Sequence, residues 1–448
     1  MTNFDEKYVF TAKAKRNLAI LLVVGVLFLV VGIFMNMGDA THGEEQHAAN
    51  AVSGQLLAST DLVQHADAAS ADEATAETEH HETATWLKKL YTNLWINNMY
   101  FIGLGLIGVF FFALQYASSS HWSTGFLRVS MAMGSWLPYA FVLILGVFWF
   151  AKYDLFHWTH EYLYDVNGPQ YDAILDGKKA YLNLPFFLGR MVVFIGGWMM
   201  FFHFMKKNAL AEDIEGGGIE RWKKIRSIAA WFLIFFAVSS SMSAWDWLMS
   251  IDPHWFSTLF GWYVFSSWWV AGLAFITFVV IILKEQGYLS IVTSNHLHDL
   301  GKFVFGFSIF WTYLWFSQFL LIYYANIPEE AVYYIQRLTS PNYRSLFYIN
   351  LFINFVFPFL ALMSRDSKRQ MSILKIVTVV IILGHWLDFY LMVTPGVMKF
   401  DGSIGFMEIG TFMIFMAAFF WVTLSSLAKH PLIAKNHPTL EESLQHHI

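Results

Sequence analysis

A chain of 448 residues with 56% hydrophobic, 19% aromatic and only 14% charged residues is composed for lipid, and its mean hydropathy is +0.46. Soluble domains carry about 25% charged residues. The net charge of −5 argues against nucleic acid as a partner, and the lack of cysteine excludes disulfides, thiol catalysis and any iron–sulfur cluster ligated by this chain.

A membrane-spanning helix needs roughly 20 mostly apolar residues. Ten stretches meet that need, at 17–37, 95–116, 130–151, 184–205, 228–250, 258–283, 301–324, 344–363, 372–394 and 405–427. The fold class expected is therefore all-α integral membrane, with about ten transmembrane helices. The first stretch is a full span rather than a cleavable signal, because "NMGDATHGEE" after it offers no small-residue cleavage site. Lys7, Lys13, Lys15 and Arg16 precede helix 1, Lys206, Lys207, Arg221, Lys223, Lys224 and Arg226 flank the loop after helix 4, and Arg365, Lys368 and Arg369 follow helix 8. All three regions fall on one side, so both termini are expected in the cytoplasm.

Residues 39–94 form a long outer segment rich in Ala, Glu, Asp, Thr and His without apolar periodicity, and are read as a flexible or partner-ordered periplasmic loop. His42, His47, His65, His80 and His81 within it show no recurring ligand spacing, so no metal site is read from them. "EGGG" at Glu215–Gly218 follows no strand and lacks the Walker lysine, and is read as a flexible inner turn.

Helices 5 and 9 resemble each other. Helix 5 ends "WDWLMSIDP" and helix 9 ends "LDFYLMVTP", so Asp246 and Asp388 each precede a proline by seven residues. A repeat of helices 2–5 and 6–9 would be parallel, because four spans separate the two. The expected organisation is the N-terminus and helix 1 (1–38), the loop (39–94), a first four-helix bundle (95–257), a second (258–400), and helix 10 with the C-terminus (401–448). Helices 1 and 10 are then peripheral.

Polar residues recur at helical spacing on both helices. Ser239, Ser243, Asp246 and Ser250 share one face of helix 5, and Lys375, Thr378, His385 and Asp388 share one face of helix 9. The hydroxyls are explained better by bonds back to their own helix than by a functional role. Ionisable groups in a span are costly and mark function by default. Arg190 is the natural counter-ion for Asp246, as a structural pair or a proton-handling one, and Glu408 on helix 10 and Gln318 on helix 7 lie at similar depth. The proton-path candidates are Asp246, Asp388, His385, Arg190, Ser243, Thr378, Lys375 and Glu408. Haem b would need two histidines at matched depth; His385 alone lies deep in a span, and His203 lies at the inner end of helix 4. What remains is proton movement, or a quinone pocket of aromatics with a His or Asp.

The stretches "LYTNLWINNMYFIGLGLIGVFFFALQYAS", "YLNLPFFLGR", "AWDWLMSIDPHWFSTLFGWY" and "GHWLDFYLMVTP" resemble the second of the two polysulfide-reductase-type (NrfD-like) membrane subunits of bacterial alternative complex III, over helices 2 to 10. The resemblance implies an inner-membrane subunit of a quinol:cytochrome c oxidoreductase with no redox centre of its own. Implied partners are a homologous NrfD-like membrane subunit, an iron–sulfur protein, multihaem and monohaem c-type cytochromes, small membrane subunits, lipids and a terminal oxidase. Haem c and iron–sulfur clusters would reside in those partners, with menaquinol or another quinone a candidate ligand. The companion subunit is the expected quinol oxidation site, and this type looks more like a proton conductor. Two other readings stand beside it: a proton-coupled secondary transporter, against which no helix reads as broken at mid-membrane by paired Gly and Pro, and a purely structural scaffold.

Overall fold

The computed structural model describes residues 5–58, 83–214 and 219–446. Among the described residues the protein is all-α, and ten helices are long and apolar enough to cross a membrane. They are α1 (Ala12–Met37, the apolar part of a helix that continues to Ala58), α2 (Thr85–Ala117), α3 (Thr124–Leu155), α4 (Leu184–Ile214), α5 (Ile219–Ile251), α6 (Phe260–Glu285), α7 (Ser294–Ala325), α8 (Pro341–Ala361), α9 (Met371–Met398) and α10 (Phe406–Leu427). The segment 39–94 is thus helical at both ends, up to Ala58 and from Thr85. Apolar-window counting misses such polar extensions, because a helix need not end where hydrocarbon does. His65, His80, His81 and the Glu215–Gly218 turn lie outside the described residues.

Both termini meet on one face. An isolated bridge joins Lys7 to Pro431, and Tyr8 packs edge-on against Tyr288 in the α6–α7 connection. Within the first bundle α2 packs on α3 and α5, and α4 packs on both α3 and α5. The second bundle repeats these pairs as α6 on α7 and α9, and α8 on α7 and α9. Between bundles, α2 meets α6 directly, and the α5–α6 contact is matched by α9–α2. The helix contacts thus exchange between the bundles in the way a parallel repeat would require.

The hydrophobic pattern follows. Nearly nine-tenths of the apolar windows of α2 and α6 are buried, against 11% for α1, which packs mainly on α10. Large apolar side chains such as Phe150, Trp231 and Leu321 point outward on the peripheral helices. In water such exposure would be a liability; in a bilayer it is the lipid face.

The central crossing depends on small residues. Gly103 of α2 lies against the Trp268 indole of α6, and Gly272 of α6 lies against the Ile107 side chain of α2. A Cβ at either would overlap its neighbour, as in membrane helix pairs where small residues let backbones approach. Trp268 also donates to the Met99 carbonyl at 2.9 Å. Gly103→Leu should therefore push the indole off that bond and cost about 1–3 kcal/mol by overpacking. In detergent it should melt below the parent, whereas Gly146→Leu, where a Cβ meets nothing within 4 Å, should not. Equal melting of the two variants would contradict this account of the bundle interface.

Several spans carry an irregular turn or an internal proline; α5 ends in a 3-10 turn at Met249–Ile251. α3 passes through a 3-10 turn at Gly134–Trp136 just before Pro138. α8 is wound as a π-helix over Phe352–Val356, ahead of Pro358. α9 continues through Pro395 and Gly396 to Met398. The Pro395–Gly396 pair thus does not break α9 and lies near its end rather than at mid-membrane. The shared Asp–Pro spacing also has unequal outcomes: Pro253 lies beyond the end of α5, whereas Pro395 is inside α9.

Candidate functional site

Two buried carboxylates, one per bundle, stand in contrasting surroundings. Asp246 sits one residue before the regular helix of α5 ends at Trp247, on the face opposite the termini. It is fully buried and gripped in bidentate fashion by Arg190 of α4, with Nε to Oδ2 at 2.6 Å and Nη2 to Oδ1 at 3.1 Å. Arg190 also donates to the Tyr181 carbonyl at 3.1 Å, and its guanidinium lies 3.9 Å from the Tyr181 ring centre and 4.2 Å from that of Phe186. Such a fork-on-fork pair, walled by aromatics, is a geometry that fixes two helices. The flanking tryptophans continue the wall. Trp247 is fully buried, and the Trp95 indole donates to its carbonyl at 2.8 Å.

The hydroxyls on the same face of α5 turn inward upon their own helix. Ser239, Ser243 and Ser250 donate to the carbonyls of Phe235, Ser240 and Asp246 at 2.7, 2.8 and 2.5 Å. Thr378 of α9 does the same to Lys375 at 3.0 Å. Self-bonding thus accounts for the proton of every hydroxyl of the two stripes, while Ser239 and Ser250 also accept from the indoles of Trp198 at 2.8 Å and Trp158 at 3.3 Å.

Asp388 of α9 is different. It is fully buried, about 15 Å inside the end of its helix, given ten residues to Met398. Four neutral donors converge on it. Oδ1 accepts from the Tyr263 hydroxyl and from Asn350 Nδ2 at 2.9 Å. Oδ2 accepts from Ser267 Oγ at 2.8 Å and Trp311 Nε1 at 2.9 Å. Three helices besides α9 supply them: α6 gives Tyr263 and Ser267, α7 gives Trp311, and α8 gives Asn350. Two donors per oxygen fit an ionised carboxylate, which is acceptor-only. A cation is the usual companion of such a group; among the described residues no Lys or Arg pairs with Asp388, and neutral donors meet it instead.

His385, one turn earlier on α9, completes the cluster. Its Nδ1 is 2.9 Å from Ser267 Oγ and 4.0 Å from Asp388 Oδ2. Because Ser267 gives its proton to Asp388, its oxygen accepts from Nδ1–H, which assigns the tautomer. His385 Nε2 then carries the lone pair, and no described residue bonds to it. The result is a directed chain, His385 Nδ1–H to Ser267 Oγ–H to Asp388.

The π-turn of α8 extends the polar line. Asn354 Nδ2 donates to Asn350 Oδ1 at 2.7 Å, leaving Asn350 Nδ2 for Asp388. On the opposite side a narrow cleft rises from Asp388 past Tyr263, Gln318, Tyr334 and Arg337. Its open space of about 10 Å³ suits one water. A quinone ring does not fit there, since ligand pockets run to roughly 300–1,000 Å³. Arg337, on the short helix Pro328–Thr339, donates to the carbonyls of Leu391 at 2.9 Å and Met392 at 3.2 Å. Pro395 has no N–H for Leu391, four residues earlier, so the arginine takes up the carbonyl that the proline frees.

Of the candidates from sequence, the structure joins Arg190 to Asp246 and His385 to Asp388. The others lie elsewhere. Lys375 is at the termini face, in a half-exposed pair with Glu285 at 2.6 Å. Glu408 caps the start of α10, accepting from Gly405 N at 2.7 Å and from Asn93 at 2.8 Å, with Lys89 at 3.6 Å. Ser243 and Thr378 are buried but self-bonded. Tyr263, Ser267, Trp311, Asn350 and Arg337 were not legible as site residues.

Neither a scan against protein-family models nor a search of curated proteins returns a match for the chain.

Proposed function

We propose that this chain is a proton-conducting membrane subunit of a respiratory quinol:cytochrome c oxidoreductase, of the type of the second NrfD-like subunit of alternative complex III. The observation that carries the proposal is the Asp388 cluster: a carboxylate deep in a span, held by neutral donors and linked through one hydroxyl to an imidazole. Such a group can take and release a proton without breaking an ion pair. The imidazole accepts a proton at Nε2 and gives one up from Nδ1; Ser267 passes its own proton to Asp388 Oδ2 and receives the one from Nδ1. From Asp388 the proton leaves through the water-sized cleft beneath Arg337. The direction places entry on the termini face, read as cytoplasmic from its Lys and Arg, and exit on the periplasmic face of a bacterial inner membrane.

Quinol oxidation belongs to the companion NrfD-like subunit, and the redox centres belong to an iron–sulfur protein and c-type cytochromes. Asp246, locked to Arg190, is the structural counterpart. The π-helical turn at Phe352–Val356 favours a second reading, a proton-coupled transporter, because discontinuous spans line transport sites. Purification of the tagged chain from its native membrane separates the two. The complex reading predicts c-type haem absorbance, an iron–sulfur protein and a second ten-span subunit in stoichiometric amount. A chain recovered without them would overturn it.

A further inference from the structure

Away from the carboxylates, the membrane surface carries a groove with two chemically distinct halves. The deeper half is bounded by α1, α3 and α10 and holds about 800 Å³. Leu18, Leu22, Val142, Ala418 and Trp421 are among its walls, and the lining is almost wholly carbon. The adjoining half, of about 750 Å³, shares Pro138, Tyr139, Trp421 and Val422 with it and opens toward the termini face. Its walls bring together His203, Lys206, Lys207, Ser425, Ser426 and Lys429.

The local fold explains why the groove exists. α3 lines the groove where its 3-10 turn at Gly134–Trp136 meets Pro138. α1 packs closely on α10 through Gly25, Gly32 and Gly410, so it leaves the space beside α3 open. At the junction of the halves, Ser135 Oγ lies 2.7 Å from Ser426 Oγ and accepts from Lys206 Nζ at 3.3 Å. Lys206 therefore meets a hydroxyl rather than a carboxylate. The acidic residues next along α4, Glu212 and Asp213, are engaged by Tyr116 at 3.2 Å and Arg128 at 2.6 Å. His430, just past α10, is shifted downward first by burial and then by Lys206, Arg128, Lys429 and Lys7, which marks the neighbourhood as cationic.

We infer that this groove is a binding site for one anionic diacyl phospholipid, with its acyl chains between α1, α3 and α10 and its phosphate at Lys206, Lys207 and Lys429. Charge and shape select that occupant. A dry carbon slot at membrane depth suits acyl chains, and a basic pocket between spans on the cytoplasmic side suits an anionic headgroup. The serine pair spends one hydroxyl proton on its own bond and leaves the other to donate at the level of the glycerol esters. The inference is independent of proton conduction and concerns other helices.

The test is native mass spectrometry of the full chain in mild detergent, after delipidation and incubation with phosphatidylglycerol or phosphatidylcholine of the same acyl chains. Each basic residue near the headgroup is worth roughly fivefold in anionic-lipid binding, so the parent should retain phosphatidylglycerol at least roughly tenfold better than phosphatidylcholine. The triple variant Lys206→Gln, Lys207→Gln, Lys429→Gln should retain both lipids alike. Val142→Trp, at a position 69% exposed, should block the slot and lower retention of both while leaving the lysines in place. Excess inorganic phosphate should not displace the lipid. Equal retention of the two lipids by the parent, an undiminished preference in the triple variant, unchanged retention in Val142→Trp, displacement by phosphate, or menaquinone held in place of phospholipid would each overturn the inference.

Discussion

Asp246→Asn should lower the amount of folded chain in the membrane. The substitution removes the charge that balances Arg190, and the guanidinium cannot reach water, since only 5% of Arg190 is exposed. Breaking a buried pair by removing one partner costs about 3–5 kcal/mol, a large part of a folded domain's net stability. Because α4 and α5 are tied here at their ends opposite the termini, the loss should appear as lowered subunit content and a lower melting temperature. Replacing both partners, as in Asp246→Leu with Arg190→Leu, should recover much of that loss, because an apolar pair avoids the stranded charge. Normal content and melting temperature in Asp246→Asn would show that the pair does not hold the helices.

Asp388→Asn should behave in the opposite way. Its four ligands are neutral, so no charge is stranded. The amide keeps one acceptor oxygen, at the cost of setting its NH2 group against two donors, and a lost hydrogen bond of this kind costs about 1–3 kcal/mol. Assembly should survive while proton-coupled turnover falls by roughly 100-fold, the scale of a positioned proton-transfer group. Ser267→Ala cuts the link between His385 and Asp388 and leaves both ionisable groups in place, so it should slow turnover too. Ser267→Thr keeps the hydroxyl and should restore much of it. Quinol:acceptor activity of purified complex, with subunit content checked by gel, reads the series. If Ser267→Ala and Ser267→Thr were equally slow, the bridging hydroxyl would have no part in the transfer.

The sequence made some of this visible for clear physical reasons. Ten apolar runs and 14% charge determine a membrane-spanning all-α fold. Asp246, Arg190, Asp388 and His385 stand out because an ionisable group in a span has so few bland explanations, and the Arg190–Asp246 pairing followed from their matching depth. The Asp388 donors were hidden. Tyr263, Ser267, Trp311 and Asn350 are residue types that ordinary helix packing also uses, and nothing local distinguishes them until three helices converge. Arg337 lies in a connection, outside any span, so a search confined to spans passes over it. The capping role of Glu408 was also legible locally: "GFME" over Gly405–Glu408 fits a helix start with an acceptor at its third residue, and there Glu408 accepts from Gly405 N as well as from Asn93.

The proposal that protons pass through the Asp388 cluster is tested most directly by counting them. Purified complex in proteoliposomes, given a quinol pulse and a membrane-impermeant pH dye, reports protons moved per electron. Assembled Asp388→Asn complex should lose the transmembrane component, retaining only protons released by quinol oxidation itself, while Asp246→Leu with Arg190→Leu should keep the parental ratio. A parental proton-to-electron ratio at parental rate in assembled Asp388→Asn complex would contradict the account.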